Sequence, residues 1–238
     1  MCHGAASPSL GTMTTSRADD PRSRTPRLVV AILVIAVVAT PVLAFPYVLL
    51  DRAASRIDVQ TDAAWVLLVV HVPVAAAAMI LGALQFVPRI RAHRARHRAI
   101  GRTFLGLGTV AFVFTGIPLA LTTPDGNLTR FGVLVPAVLW PGLAVMAYRA
   151  IRAGDVVRHR EWMTRLYAVT FFAITARLVT PLLLLAQAPI MQSRYDGDVQ
   201  AAVSASIPYG QWLGWIINLL IATYVIHRWR AHPETAPT

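Results

Sequence analysis

Six apolar runs of about 20 residues divide this chain, and nothing else in it limits the fold so tightly. An α-helix of that length crosses the ~30 Å hydrocarbon core of a bilayer. Within lipid every backbone N–H and C=O must be satisfied inside the protein, so helices are the expected solution. The strands of a transmembrane barrel would alternate polar and apolar over short segments, which these runs do not. The composition agrees, because 56% of the 238 residues are hydrophobic and only 14% are charged. A soluble domain carries about 25% charged residues. The expected fold is therefore all-α, a polytopic membrane bundle of six transmembrane helices over residues 28–50, 63–87, 103–122, 131–151, 162–186 and 208–227. Residues 1–27 read as a disordered basic tail, 28–227 as the membrane domain and 228–238 as a short second tail. The first run is too long for a signal-peptide core and is not followed by a small-residue cleavage site, so it is read as a span.

The charge pattern sets an orientation. All 22 basic residues other than histidine are arginine, and the net charge is +11. Seventeen of them flank the spans on one side, Arg52, Arg56, Arg130 and Arg194 lie on the other, and Arg177 is left inside a span. Cytoplasmic loops carry the excess of positive charge, so both termini are expected in the cytoplasm. Tyr47, Trp65, Trp212 and Trp215 then lie at outer ends, and Tyr148, Trp162 and Trp229 at inner ends. Arginines placed this way make the lipid bilayer the expected partner, with anionic lipids favoured, and no nucleic-acid partner is expected. The single cysteine, Cys2, excludes an internal disulfide. The longest outer loop, 187–207, is polar and is read as a lid or a plain connection. No sequence feature sets an oligomeric state.

Polar residues inside the spans are the candidates for function. Arg177 lies well within the fifth span, where a charge costs several kcal/mol and usually turns toward the bundle interior. It is expected to face inward, beside Thr170, Ala173, Ala176, Thr180 and Pro181. No Asp or Glu falls inside any span, so carbonyls, hydroxyls, water or a bound anion are expected to meet its charge. His71 in the second span sits at similar depth, with Thr115 and Trp140 near that level and Asn218 somewhat deeper. His71, Ala75, Ala78, Gly82 and Gln85 form one helical stripe of small residues with a polar group at each end, which should face the bundle. His71, Arg177, Gln85 and Asn218 are the candidate ligand-binding residues.

A second constellation lies at the cytoplasmic lip. His97-Arg98-Ala99-Ile100-Gly101-Arg102 opens the third span, and His159-Arg160-Glu161-Trp162-Met163-Thr164-Arg165 opens the fifth. Both histidines are expected just before helix N-terminal ends, which attract anions. His97, Arg98, Arg102, His159, Arg160, Trp162 and Arg165 form this motif. Positive-inside charge alone would explain the arginines, but not the repeated His-Arg pair. His71, His97 and His159 are also the candidate haem or metal ligands, and their spacing across loops does not define a metal site.

With its paired His-Arg motifs, the stripe from His71 to Gln85 and the run from Tyr167 to Arg177, the chain resembles the predicted bacterial membrane-protein family known as domain of unknown function 2306. The resemblance covers about residues 64–227. It implies a multi-helix protein of the bacterial cytoplasmic (inner) membrane, and no established activity. After Asn218-Leu219-Leu220-Ile221-Ala222 it implies an acidic residue, where this chain has Thr223.

Three functions fit these residues. The first is a bundle that binds or moves a small anion or quinone at His71 and Arg177, with His71 able to couple binding to protons. The second is a haem b electron-transfer protein, which needs two facing histidines at one depth. The third is a non-catalytic protein acting through assembly or lipid contact. No catalytic residue is assigned, because buried carboxylates and a His-Glu-x-x-His motif are missing, and an enzyme is not the expected reading.

Overall fold

The structure, a computed structural model, describes residues 21–53, 55 and 60–231. Among these residues there is no strand. The elements are α1 (Pro21–Val48), α2 (Asp62–Leu84), a short α3 (Pro88–Ala92) and α4 (Arg94–Thr109). Next come a π-helical segment (Val110–Gly116), α5 (Ile117–Thr122), α6 (Gly126–Arg152), α7 (Val156–Thr170) and α8 (Phe172–Ala186). A 3₁₀ turn (Ala188–Ile190), α9 (Met191–Tyr195) and α10 (Val199–Ala231) complete the described residues. Five stretches are long and apolar enough to cross a membrane: Val30–Val48, Asp62–Leu84, Arg94–Thr122, Gly126–Arg152 and Val199–Ala231. Taken together, α7 and α8, bent by 48° at their junction, are long and apolar enough to make a sixth.

Helix starts follow local hydrogen bonding. The Thr61 hydroxyl accepts from the Ala64 N–H at 3.1 Å and opens α2. The Asp155 carboxylate accepts from the Arg158 N–H at 2.9 Å and opens α7. Asp198 accepts from the Ala201 N–H at 3.0 Å and opens α10. Each is an N-cap that satisfies one of a helix's orphan donors.

Several boundaries differ from those expected from hydropathy. α1 starts at Pro21, inside the expected tail, whose residues 1–20 lie outside the described residues. α7 starts at Val156 and α4 at Arg94, so His159 and His97 each stand about one turn inside a helix instead of ahead of it. α10 starts at Val199 and runs through Pro208, so the expected loop 187–207 is largely helical. At the other end it reaches Ala231, and residues 232–238 lie outside the described residues. For α7 and α10 the reason is local: an apolar run marks where a helix meets lipid, whereas the Asp155 and Asp198 caps set where these helices begin.

The bend between α7 and α8 has a visible cause. Asn218 of α10 donates through Nδ2 to the Ala168 carbonyl at 3.0 Å and accepts from the Thr175 hydroxyl at 2.8 Å. One side chain thus engages the backbone before the break and a hydroxyl after it. Side-chain insertion into a helical ladder is a standard origin of kinks.

Two packing centres hold the bundle. In the first, Trp140 of α6 is fully buried, stacks on Phe112 at 5.2 Å and meets Phe104 edge-on at 6.1 Å. Its indole N–H donates to the Thr170 hydroxyl at 3.0 Å. Gly108 makes this possible, because a Cβ there would overlap the Trp140 ring. In the second, α10 lies close against α8. A Cβ on Gly214 would stand 2.9 Å from the Phe172 carbonyl oxygen and 3.1 Å from the Ala176 Cβ, and one on Gly210 would overlap the Thr180 hydroxyl. Gly210 and Gly214 form a Gly-x-x-x-Gly pair, a spacing that lets membrane helices approach closely.

Candidate functional site

The stripe on α2 faces the bundle interior. Ala78, Gly82 and Gln85 are buried, and a Cβ on Gly82 would come within 2.6 Å of the Tyr167 ring. Tyr167 caps this contact by donating its hydroxyl to the Met79 carbonyl at 3.3 Å.

His71 meets the π-helical segment. Its Nδ1 lies 3.0 Å from the Ala111 carbonyl oxygen and 2.9 Å from the Thr115 hydroxyl. The Thr115 hydroxyl is in turn 3.0 Å from both the Val110 and Ala111 carbonyl oxygens, to which it donates. A carbonyl only accepts, so the ring bears its proton on Nδ1 and donates it to this pair. Nε2 then holds a lone pair, and it has no hydrogen-bond partner among the described residues. π-helical bulges frequently sit at functional sites, because the extra residue per turn redirects backbone groups. Here the bulge supplies the carbonyl and the hydroxyl that fix the imidazole.

The other three expected ligand-binding residues are placed differently. Arg177 is exposed, in contrast to the inward orientation expected of it, and its Nη1 donates to the Ala173 carbonyl at 2.9 Å. The small residues around it are used for packing: Ala176 and Thr180 meet Gly214 and Gly210 of α10. Arg177 follows Ala176 and so points about 100° away from that seam. It remains close enough to His71 for their charges to interact. Asn218 is committed to the kink, with both ends of its amide engaged. Gln85 lies at the Arg-rich end of α2. In the amide orientation its neighbours require, it donates to His97 Nδ1 at 3.0 Å and to the His97 carbonyl at 3.3 Å. Its oxygen accepts from the Gly101 N–H at 3.3 Å. Thus Gln85 joins the His-Arg motif and not the His71 site.

At the Arg-rich end the motif residues fall into separate roles. Trp162 carries the Arg165 guanidinium at 5.1 Å, and Trp229 of α10 carries that of Arg160 at 4.3 Å. Glu161 is buried and forms a bidentate pair with Arg230, with Nε–Oε1 2.6 Å and Nη2–Oε2 2.7 Å. His159 Nδ1 donates to the Ala147 carbonyl at 2.9 Å. Arg98 and Arg102 are exposed. Arg91, on the connecting α3, stands near both His97 and Arg160, and burial holds its guanidinium below the usual arginine range. Hydropathy draws no attention to Arg91 or Arg230. The Gly-x-x-x-Gly spacing and Glu161 among the arginines are the sequence signals for the α8–α10–α7 connections.

Among the described residues the histidines are not arranged as a bis-His haem site. A bis-His haem needs two histidines facing each other at one depth. Among the described histidines only His71 lies mid-span; His93, His97, His159 and His227 lie at the Arg-rich end. There the Nδ1 of His97 is engaged by Gln85. Among the described residues no three His, Cys, Asp or Glu side chains are grouped to share a metal ion.

Helices of membrane-crossing length, apolar outer faces and charges gathered at helix ends define a multi-pass helical membrane protein. Residues 68–226 match the family model described as "Predicted membrane protein (DUF2306)", and the chain belongs to that family. Comparison with curated proteins and with solved structures gives no match in either case.

Proposed function

We propose that the protein binds or moves a small anionic or quinone-like ligand within the membrane, at a site centred on His71 with Arg177 as the neighbouring cation. One observation carries this reading: the π-helical segment fixes His71 through Nδ1 and leaves its Nε2 lone pair without a described partner. A neutral imidazole so held accepts a hydrogen bond from a quinol hydroxyl or a carboxylic acid. Once protonated it pairs with an anion, and the nearby guanidinium favours the anionic form. The 17-to-4 division of arginines supports cytoplasmic termini, and the family supports the bacterial cytoplasmic membrane as the location.

The test is a titration of the purified chain in neutral detergent with a short-chain ubiquinone analogue and, separately, with benzoate. His71→Ala is expected to weaken binding of the effective probe by roughly tenfold, the worth of one well-placed hydrogen bond in a dry site. Equal binding by wild type and variant, with the variant folded, removes His71 from the site.

A further inference from the structure

At the Arg-rich end, away from His71, four basic side chains gather without a carboxylate of their own. Arg91 is near enough to His97 and to Arg160 for their charges to interact, and His97 is near enough to His159. They come from α3, α4 and α7, so the fold and not one sequence run assembles them. Only two described carboxylates lie at this end. Asp155 is spent on the α7 N-cap, and Glu161 is held bidentately by Arg230. Like charges in a half-buried cluster repel, and a counter-charge is needed to offset this.

The hydrogen bonding points the same way. Arg91 Nε and Arg160 Nη2 are both buried and have no hydrogen-bond partner among the described residues. Buried donors of charged groups are rarely left so, and each such case calls for a missing acceptor. The Trp229 ring occupies the face of the Arg160 guanidinium at 4.3 Å and leaves its N–H edge for an in-plane oxyanion. His97, which accepts through Nδ1 from Gln85, presents an N–H at Nε2. His159, which donates through Nδ1, presents a second one when protonated. An oxyanion would supply the acceptor that both orphaned N–H groups lack.

We propose that Arg91, His97, His159 and Arg160 form a phosphate site at the Arg-rich membrane face, filled by the headgroup phosphate of an anionic phospholipid or by a free phosphate. It binds without any covalent step, through charge-assisted hydrogen bonds from the two guanidinium groups and the histidine Nε2 positions. It is independent of the His71 site.

The full chain in neutral detergent is examined by native mass spectrometry with added phosphatidylglycerol or phosphatidylcholine, and by calorimetric titration with inorganic phosphate at constant ionic strength. Preferential retention of phosphatidylglycerol is expected, with a loss of roughly tenfold or more in Arg91→Gln/Arg160→Gln. The control Arg89→Gln/Arg94→Gln removes the same charge from exposed positions and is expected to leave binding within about twofold. Arg160→Lys keeps the charge but loses the planar fork, so it is expected to bind several-fold more weakly, and it serves if the double variant does not fold. Phosphate that binds and displaces the lipid identifies a free phosphate as a sufficient ligand; lipid binding alone identifies the headgroup. Equal losses in the control variant, or neither lipid preference nor phosphate binding in the wild type, overturn the site.

Discussion

Replacing Gly108 by alanine tests the first packing centre, and its outcome should change sign with the residue at 140. A Cβ on Gly108 overlaps Cζ2 and Cη2 of the Trp140 ring and stands 3.0 Å from Cε2. Trp140 cannot retreat: it is 0% exposed, stacked on Phe112 and tied through its indole N–H to Thr170. Overpacking of this kind costs about 1–3 kcal/mol. The better helix propensity of alanine returns at most about 1 kcal/mol. Gly108→Ala alone is therefore expected to destabilise by about 1–2 kcal/mol. Trp140→Phe deletes the outer ring atoms that the new methyl meets. By itself it loses the hydrogen bond, worth about 0.6–1 kcal/mol between membrane helices, and leaves a cavity. In the Trp140→Phe background the overlap is gone, so Gly108→Ala becomes neutral or slightly stabilising. The double-mutant cycle then gives a coupling of about 1–3 kcal/mol, because the helix-propensity gain cancels between the two backgrounds, and this is well above the ~0.5 kcal/mol scatter of independent sites. The assay is reversible SDS titration in mixed micelles, read by far-ultraviolet circular dichroism. A Gly108→Ala cost that is the same in both backgrounds would show that Gly108 and Trp140 do not share this space.

Three further outcomes follow from the other contacts. Asn218→Leu removes a donor from the Ala168 carbonyl and an acceptor from the Thr175 hydroxyl, so a loss of about 1–3 kcal/mol is expected in the same titration. A neutral result would mean that the kink stands without its bridge. Thr115→Val leaves the Ala111 carbonyl to hold His71, so quinone-analogue affinity should fall by about threefold, well short of His71→Ala; an effect as large as that of His71→Ala would reverse the roles of hydroxyl and carbonyl. Glu161→Gln breaks the bidentate pair with Arg230 and should speed amide exchange in the last turns of α10, measured by hydrogen–deuterium exchange; unchanged protection of residues 226–231 would show that Trp229 packing alone docks that end.

Local chemistry makes much of this protein legible in its sequence. The length and repetition of the apolar runs are enough for an all-α multi-pass fold, because lipid offers the backbone no partner other than itself. The α2 stripe can be placed for a similar reason. Small residues at helical spacing, Ala78 and Gly82 among them, are of use only where another helix comes close, and Tyr167 does. His71 stands out because a polar group at that depth needs a partner in the protein. Its partner is a different matter, since the π-helical segment that brings Ala111 and Thr115 to Nδ1 leaves no mark in hydropathy.

The tertiary structure decided which way each intramembrane group points. Arg177 and Ala176 are neighbours in sequence, but the close seam between α8 and α10 claims Ala176 and turns Arg177 outward. Gln85 and Asn218 resemble site residues by type and depth, and the fold uses both to join helices. The cluster of Arg91, His97, His159 and Arg160 draws on α3, α4 and α7, so no single stretch of sequence contains it. Burial in a bilayer is a property of a segment and is written in its composition. The direction of a side chain depends on which neighbour its helix packs against, and that is settled by shape complementarity between residues far apart in the chain.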